Sequence, residues 1–302
     1  MHPTAFIVFH SAAPHPIEPV KLRSTLAAAG HRVISEESFE GPGRSGARWE
    51  VTGSVRQLRA LVNPLDGNNA RSEDPAVRAL SIAVVPSELV RAPKLLLVLD
   101  VDSTLIKQEV IELLAAYAGC EAEVTEVTEA AMRGEIDFAQ SLHARVKTLA
   151  GLDVAVIEQV HSTVHLSDGA SELIAAFKAA GHYVAVVSGG FAQILDPLAA
   201  ELGLDFACAN ELGVEDGKLT GTVIGQVVDR AYKETKLRDW AGELGIDVGH
   251  TIAVGDGAND LDMVTAAGLG VAFNAKPALR DAADARIDLP RLDVIVNLVG
   301  IA

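Results

Sequence analysis

The sequence predicts an α/β protein: a doubly wound parallel sheet with a helical insertion, preceded by a smaller α+β unit of ferredoxin-like order. Three observations predict it. First, a continuous apolar run, Leu95-Leu96-Leu97-Val98-Leu99, has counterparts at Tyr183–Val187 and Thr251–Val254, as expected of strands buried on both faces of a parallel sheet. Second, helical stretches, Ala170–Ala180 and Lys236–Leu244, precede the second and third runs. Third, each run ends in polar or glycine residues: Asp100, Ser188-Gly189-Gly190 and Gly255-Asp256-Gly257. Ligands of doubly wound sheets bind at the carboxyl ends of the strands.

The N-terminal unit spans residues 1–90. Ala5–His10 reads as a short strand. Pro19–Gly30 reads as a helix, with Val20, Leu22, Leu26 and Ala27 on one side and Gly30 as its stop. His31–Phe39 and Arg48–Thr52 read as strands joined through Gly41-Pro42-Gly43, Ser54 as the N-cap of a helix to Val62, and Ala79–Val85 as a last strand. The order β-α-β-β-α-β is the ferredoxin-like one. Pro86–Pro93 reads as a linker.

The larger unit spans residues 94–302. Between its first two buried strands lies a helical stretch from Gln108 to about Thr163, far longer than an ordinary crossover. It reads as a cap over the strand ends, inserted at about 108–165. A smaller insertion carries Asp216-Gly217 as a hairpin turn between Asn210–Val214 and Lys218–Thr222.

Composition excludes several classes. The 302-residue chain is 49% hydrophobic and 22% charged, enough for a packed core, and its formal net charge is −16. Nucleic-acid and anionic-membrane binding both need a positive surface field, so neither partner is expected. No apolar run reaches the ~18 residues of a membrane span. Met1-His2-Pro3 starts no basic-then-apolar leader, so no signal peptide is expected. Cys120 and Cys208 have no zinc-site or disulfide spacing and read as reduced thiols in a cytoplasmic protein.

The strand ends suit one chemistry. Asp100 and Asp102 are two apart, so both carboxylates face the crevice if the strand continues through Val101. Asp256, Asn259 and Asp260 follow the third strand, and Lys233 precedes it. Phosphoryl transfer needs a nucleophile, a proton donor and positive charge around the phosphate oxygens. Mg²⁺ takes oxygen ligands and needs only one or two carboxylates, and it offsets repulsion between acidic side chains and an anionic substrate.

In order, Asp100-Val101-Asp102-Ser103-Thr104, Val187-Ser188-Gly189-Gly190-Phe191, Lys233 and Gly255-Asp256-Gly257-Ala258-Asn259-Asp260 resemble the motifs of the haloacid dehalogenase superfamily of phosphatases. Ala275-Lys276-Pro277 also fits. The cap segment from Met132-Arg133-Gly134 to Leu142, with Arg145, resembles the branch that acts on phosphoserine. The resemblance covers residues 94 to 290 and implies a role for each matching position. Asp100 would be the nucleophile and Asp102 the proton donor and later base. Mg²⁺ would be held by Asp100, Asp256 and the Asp102 main-chain carbonyl. Ser188, Gly189 and Lys233 would hold phosphate oxygens, and Asn259 would touch phosphate or the attacking water. Asp260 would orient Lys233 or the metal shell. Glu109 would bind the substrate ammonium and Arg145 its carboxylate, with Met132 and Phe138 shaping the cap wall. The implied reaction takes O-phospho-L-serine to L-serine and phosphate, the last step of serine synthesis, in a cytoplasmic homodimer. The N-terminal unit resembles a degenerate ACT-type regulatory domain.

Other readings stand beside these. The same scaffold serves phosphatases or phosphotransferases for other small phosphorylated metabolites. The N-terminal unit fits an amino-acid sensor, or a docking module without ligand. Glu109 also suits a first helical turn, and Arg133 rivals Arg145. His161 and His165 would share a helix face, but no third metal ligand accompanies them. Asp168 stands where Pro is common in the family, which puts the turn at Gly169 in question.

Overall fold

The computed structural model describes residues 3–11, 19–41, 44–62, 80–132 and 137–301. Its first unit contains β1 (Thr4–Ser11), α1 (Pro19–Ala28), β2 (Val33–Gly41), β3 (Arg44–Thr52), α2 (Val55–Val62) and β4 (Leu80–Pro86). The strands lie in the order β2-β3-β1-β4, each pair antiparallel. Alternation along β1 assigns its two faces. Ala5, Ile7 and Phe9 pack with Trp49, Val51 and the helix residues Leu22, Leu26 and Leu58. Phe6 and Val8, with Ala83 and Val85, join the core of the following unit. Of the expected apolar side of α1, Leu22 and Leu26 are buried, whereas Ala27 is exposed and the Val20 side chain lies outside the described residues, as do Pro42 and Gly43. Ser54 caps α2 reciprocally with Gln57.

The segment expected as a linker contains a helical turn, α3 (Ser87–Val90), whose Leu89 is fully buried in the shared core. One turn is too short to leave a periodic signal, so only the packing reveals it.

The second unit is built on a seven-stranded sheet ordered β11-β10-β9-β5-β6-β7-β8. Its strands are β5 (Leu96–Leu99), β6 (Tyr183–Phe191), β7 (Phe206–Glu215), β8 (Lys218–Ile224), β9 (Thr251–Gly255), β10 (Leu269–Phe273) and β11 (Ala285–Ile287). All pairs are parallel except the β7–β8 hairpin. Strand β5 is buried throughout: Leu97 and Leu99 face one apolar layer, Leu96 and Val98 the other. The chain winds outward from β5 to β6 and later returns to β9 on its other side, so the crevice of a doubly wound sheet opens at the end of β5.

The insertion consists of α4 (Val110–Ala118), α5 (Glu121–Met132), α6 (Phe138–Lys147) and α7 (Ala155–Thr163). It is therefore several helices rather than one stretch. Gly119, at φ +65°, terminates α4 in a left-handed conformation, and Asp137 with Gln140 forms a capping box that starts α6. Entry and exit run side by side: Ile106 pairs with Leu166, and Lys107 N–H donates to the His165 carbonyl at 2.9 Å. His165 lies beyond the end of α7, so it shares no helix face with His161.

The hairpin turn at Asp216-Gly217 has φ of +50° and +74°, the two positive values a type I′ turn requires. Main-chain bonds join this hairpin to the cap: Gly151 N–H to Leu219 O at 2.8 Å, Val154 N–H to Gly217 O at 2.9 Å, and Leu219 N–H to Leu152 O at 2.8 Å. The turn before α8 (Ala170–Ala179) forms with Asp168, since Gly169 takes φ +79° and Asp168 is salt-bridged to Lys107 at 2.7 Å. That ion pair holds the Asp168 carboxyl below its ordinary range. Helix α9 (Ala192–Leu202) follows β6, α10 (Arg230–Glu243) precedes β9 and α11 (Leu261–Ala266) follows it.

Candidate active site

Strand β5 stops at Leu99. Asp100 N–H still bonds the Val254 carbonyl at 2.9 Å, and Val101–Leu105 then form one wide turn. Asp100 and Asp102 both reach the crevice, but Asp102 is placed by this turn rather than by a continued strand. Ser103 holds φ +56° within it, uncommon outside glycine.

The 2%-exposed Asp100 accepts three bonds. Its Oδ1 takes the Val101 N–H at 2.7 Å and the Lys233 ammonium at 2.7 Å, and its Oδ2 takes the Asn259 amide at 3.3 Å. Lys233 lies on α10 (Arg230–Glu243), whose N-cap Asp229 accepts from Tyr232 N–H. It is fully buried and also reaches Asp260 Oδ1 at 2.7 Å. Asp260 turns its other oxygen to the N–H groups of Asp256 and Gly257 at 3.2 and 3.1 Å. Both its oxygens are therefore engaged, and its place is to hold Lys233 and the β9 loop.

Asp102 is bound differently. Its Oδ1 accepts from Val110 N–H, in the first turn of α4, at 2.8 Å, and its Oδ2 accepts from the Ser188 hydroxyl at 3.0 Å. Ser188 Oγ in turn accepts from Gly190 N–H at 2.7 Å. A Cβ at Gly190 would lie 2.7 Å from Asp102 Oδ2, so the glycine is sterically required. Ser103 donates to Glu109 Oε1 at 2.6 Å, fixing that carboxylate at the base of the cap.

Burial sets the proton affinities. It raises Asp102 to about 6, with the Glu109 charge adding to it. Burial and then Asp260 raise Asp256 to about 6. Burial and Asp260 also push Asp100 well above the usual carboxylate range, against the opposing pull of Lys233. Burial works against a charged Lys233, but Asp100 and Asp260 outweigh it and raise its pKa.

Oxygens of Asp100, Asp256 and Asp260 lie within 4.8 Å of one another. All donors are carboxylate oxygens, the type a hard divalent cation takes. Asp100 and Asp256 line the crevice whereas Asp260 stands behind it, so those two are the members placed to hold an ion.

These groups surround a cavity of about 140 Å³ between the strand ends and the cap. Asp100, Asp102, Glu109, Phe138, Arg145, Gly189, Asp256 and Asn259 line it. Ser188, Lys233 and Asp260 stand immediately behind through the bonds above. Arg145 Nε donates to the Ser141 carbonyl at 3.3 Å, and burial lowers its pKa against the pull of Glu109. The Met132 side chain and Arg133 lie outside the described residues.

Ile111, Leu142, Phe191 and Lys276 also line the cavity and were not singled out by the sequence as site residues. Neither was the buried Asn210, whose amide donates to the Gly189 carbonyl at 2.8 Å while its oxygen accepts from Val228 N–H at 2.8 Å. It ties the β6 terminus to the chain entering α10.

Residues 97–265 match the haloacid dehalogenase-like hydrolase model. A phosphoserine phosphatase of Streptomyces coelicolor is 56% identical over 94% of this chain and 68% of its own length. The phosphoserine phosphatase SerB2 of Mycobacterium tuberculosis is 53% identical over 74% of this chain and 54% of its own. Among solved structures, a HAD family hydrolase of Salmonella enterica serovar Typhi superposes with TM-score 0.80 at 26% identity, covering 98% of each chain. A substrate-bound phosphoserine phosphatase superposes with TM-score 0.64 at 43% identity, covering 67% of this chain and 97% of that one. The chain belongs to the haloacid dehalogenase-like hydrolase family, where it groups with the phosphoserine phosphatases.

Proposed function

We propose that the chain hydrolyses O-phospho-L-serine to L-serine and phosphate, in a Mg²⁺-dependent reaction that passes through an aspartyl-phosphate on Asp100. The observation that carries this reading is the pairing of two carboxyls with different partners at one strand end. Asp100 is ion-paired to Lys233, whereas Asp102 accepts from the Val110 N–H and the Ser188 hydroxyl and sits against the phosphate cradle of Ser188 and Gly190.

In the first step the Asp100 carboxylate attacks phosphorus and the bond to the serine oxygen breaks. Asp102, protonated, gives its proton to that oxygen. In the second step Asp102, now ionised, takes a proton from water, which attacks phosphorus and releases phosphate from Asp100. Lys233 and the N–H groups around Gly189 hold the phosphate oxygens, and Asn259 orients the group under attack. Asp100, Asp256 and the Asp102 carbonyl would hold Mg²⁺, which supplies positive charge against the phosphate oxygens.

At the cap, Glu109 pairs with the substrate ammonium and Arg145 grips its carboxylate. Phe138 packs over Gly189, where a Cβ would come within 3.0 Å of the ring. The reaction is the last step of serine synthesis, and two free cysteines suit a cytoplasmic setting.

Residues 1–90 form an ACT-type, ferredoxin-like domain, and 94–302 form the phosphatase domain with its cap at about 108–165. The strand order β2-β3-β1-β4 supports the first assignment. The solved phosphoserine phosphatase that matches only 67% of this chain supports the second. The chain acts as a homodimer.

The test is phosphate release from a panel of phosphorylated amino acids and sugars, with and without Mg²⁺. Phosphoserine is the preferred substrate, turnover requires the metal, and Asp100→Asn reduces it by at least about 10⁴-fold. A different ester turned over a hundredfold better would overturn the substrate while leaving the reaction class.

A further inference from the structure

The lining of the cavity poses an electrostatic problem that one divalent cation offsets only in part, since four carboxyls line it. Asp100, Asp102, Glu109 and Asp256 all face it, in a protein of net charge −16. A phosphorylated substrate must approach this acidic opening before any group inside can grip it. Lys233 cannot attract it from outside, because it is fully buried behind Asp100 and committed to two ion pairs. Arg145 is drawn into the cap by its bond to the Ser141 carbonyl.

Lys276 is placed otherwise. Its side chain is 68% exposed, yet it lines the same cavity, and its ammonium stands 3.9 Å from Asp256 Oδ2. That distance is too long for a hydrogen bond, so the charge is not fixed to one partner. The backbone beneath is rigid. Lys276 N–H bonds the Asp256 carbonyl at 2.8 Å, and Lys276 is the N-cap of α12 (Pro277–Ala282), with Pro277 in the first position. A mobile cation on a fixed base at the rim is the arrangement that raises the local concentration of an anion at an acidic opening.

We propose that Lys276 is the receiving cation of this site: it draws the phosphate dianion to the rim and hands it to the cradle beyond Asp100. It acts on binding rather than on the chemical step, and it offers product phosphate the same hold on its way out. The proposal rests on the phosphatase reading given above.

Steady-state kinetics on phosphoserine at saturating Mg²⁺ test it, using the full chain and the series Lys276→Arg, Lys276→Gln and Lys276→Glu. Each variant is measured at about 20 mM and about 500 mM KCl, where the Debye length shrinks several-fold. Inorganic phosphate serves as competitive inhibitor. At low salt K276Q raises KM and the phosphate Ki together by roughly 5–10-fold, with kcat within about twofold. K276E raises both further, and K276R restores both. At high salt the differences narrow to about twofold. A fall in kcat at unchanged KM, a KM change indifferent to salt, or no ordering by charge overturns the proposal. A wild-type chain that releases no phosphate from phosphoserine defeats the phosphatase reading instead, which separates the two failures.

Discussion

The two sheets of this chain handle charge in opposite ways. Around the N-terminal sheet, ion pairs such as Arg23–Glu36, Arg48–Glu37 and Arg91–Glu50 each keep at least one partner well exposed. At the ends of the seven-stranded sheet, Lys233, Asp100 and Asp260 are withdrawn from water and lean on one another. An exposed pair contributes little because water already solvates both ions. A buried set contributes little as a whole, but removing one member leaves the others uncompensated. The first arrangement tolerates change residue by residue, and the second does not.

The sharpest way to break this contrast is Lys233→Met. It leaves Asp100 and Asp260 facing each other without a counter-ion, and urea unfolding shows a loss of about 3–5 kcal/mol. The sign with pH follows from the carboxyls. Asp100 already lies above the ordinary carboxylate range and loses the opposing pull of Lys233 in the variant, so the folded state binds more protons, and the deficit shrinks on going from about pH 8 to about pH 5. A loss under ~1 kcal/mol at neutral pH would mean that the cluster is not interdependent.

Next in size is Asp102→Asn, which keeps an acceptor for Val110 N–H, turns an amide donor to Ser188 Oγ and removes the transferable proton. We expect kcat to fall by about 10²–10⁴-fold with KM little changed. In the parent protein the donor form is depleted as pH rises through about 6, so phosphoenzyme formation slows on the alkaline side. Rapid-quench measurements on the variant lose that dependence, and its persistence would assign the donor elsewhere.

The smallest effect belongs to the other sheet. Arg23→Ala removes the pair with Glu36 and costs less than about 1 kcal/mol, still less at high salt. Arg23 also lies over the Trp49 ring at 4.7 Å, so a larger loss would trace to that cation–π contact rather than to the pair.

The catalytic sheet was legible where its strands announce themselves. Leu95–Leu99 is apolar without alternation, and the acid that follows it must lie at an edge. Strands β10 and β11 went unread because Leu269–Phe273 contains a glycine and Ala285–Ile287 is three residues long. The site was legible wherever a residue sits beside a strand end in sequence. Asn210 was not, because its role depends on the pairing of Phe191 with Asn210 across a register shift between β6 and β7, which no local pattern encodes. Lys276 was legible only as part of a resembling motif, since its proximity to Asp256 comes from a backbone bond across a loop. In the N-terminal unit the order of elements could be read, but α3 could not, because Leu89 is defined by what lies opposite it in space.

The bonds between the β7–β8 hairpin and residues 151–154 have a mechanical consequence. The cap hangs from the core at the neck where Ile106 meets Leu166, and through these bonds it is also riveted to the hairpin. It is therefore a door with two mountings, and swinging it on the neck alone would shear the second. The arm behind that second mounting is β7, which passes from pairing with β6 at Asn210 to pairing with β8 at Glu211, and Asn210 steadies the Gly189 carbonyl. The cap and the end of β6 share one beam, so a load on the cap is felt at Gly189.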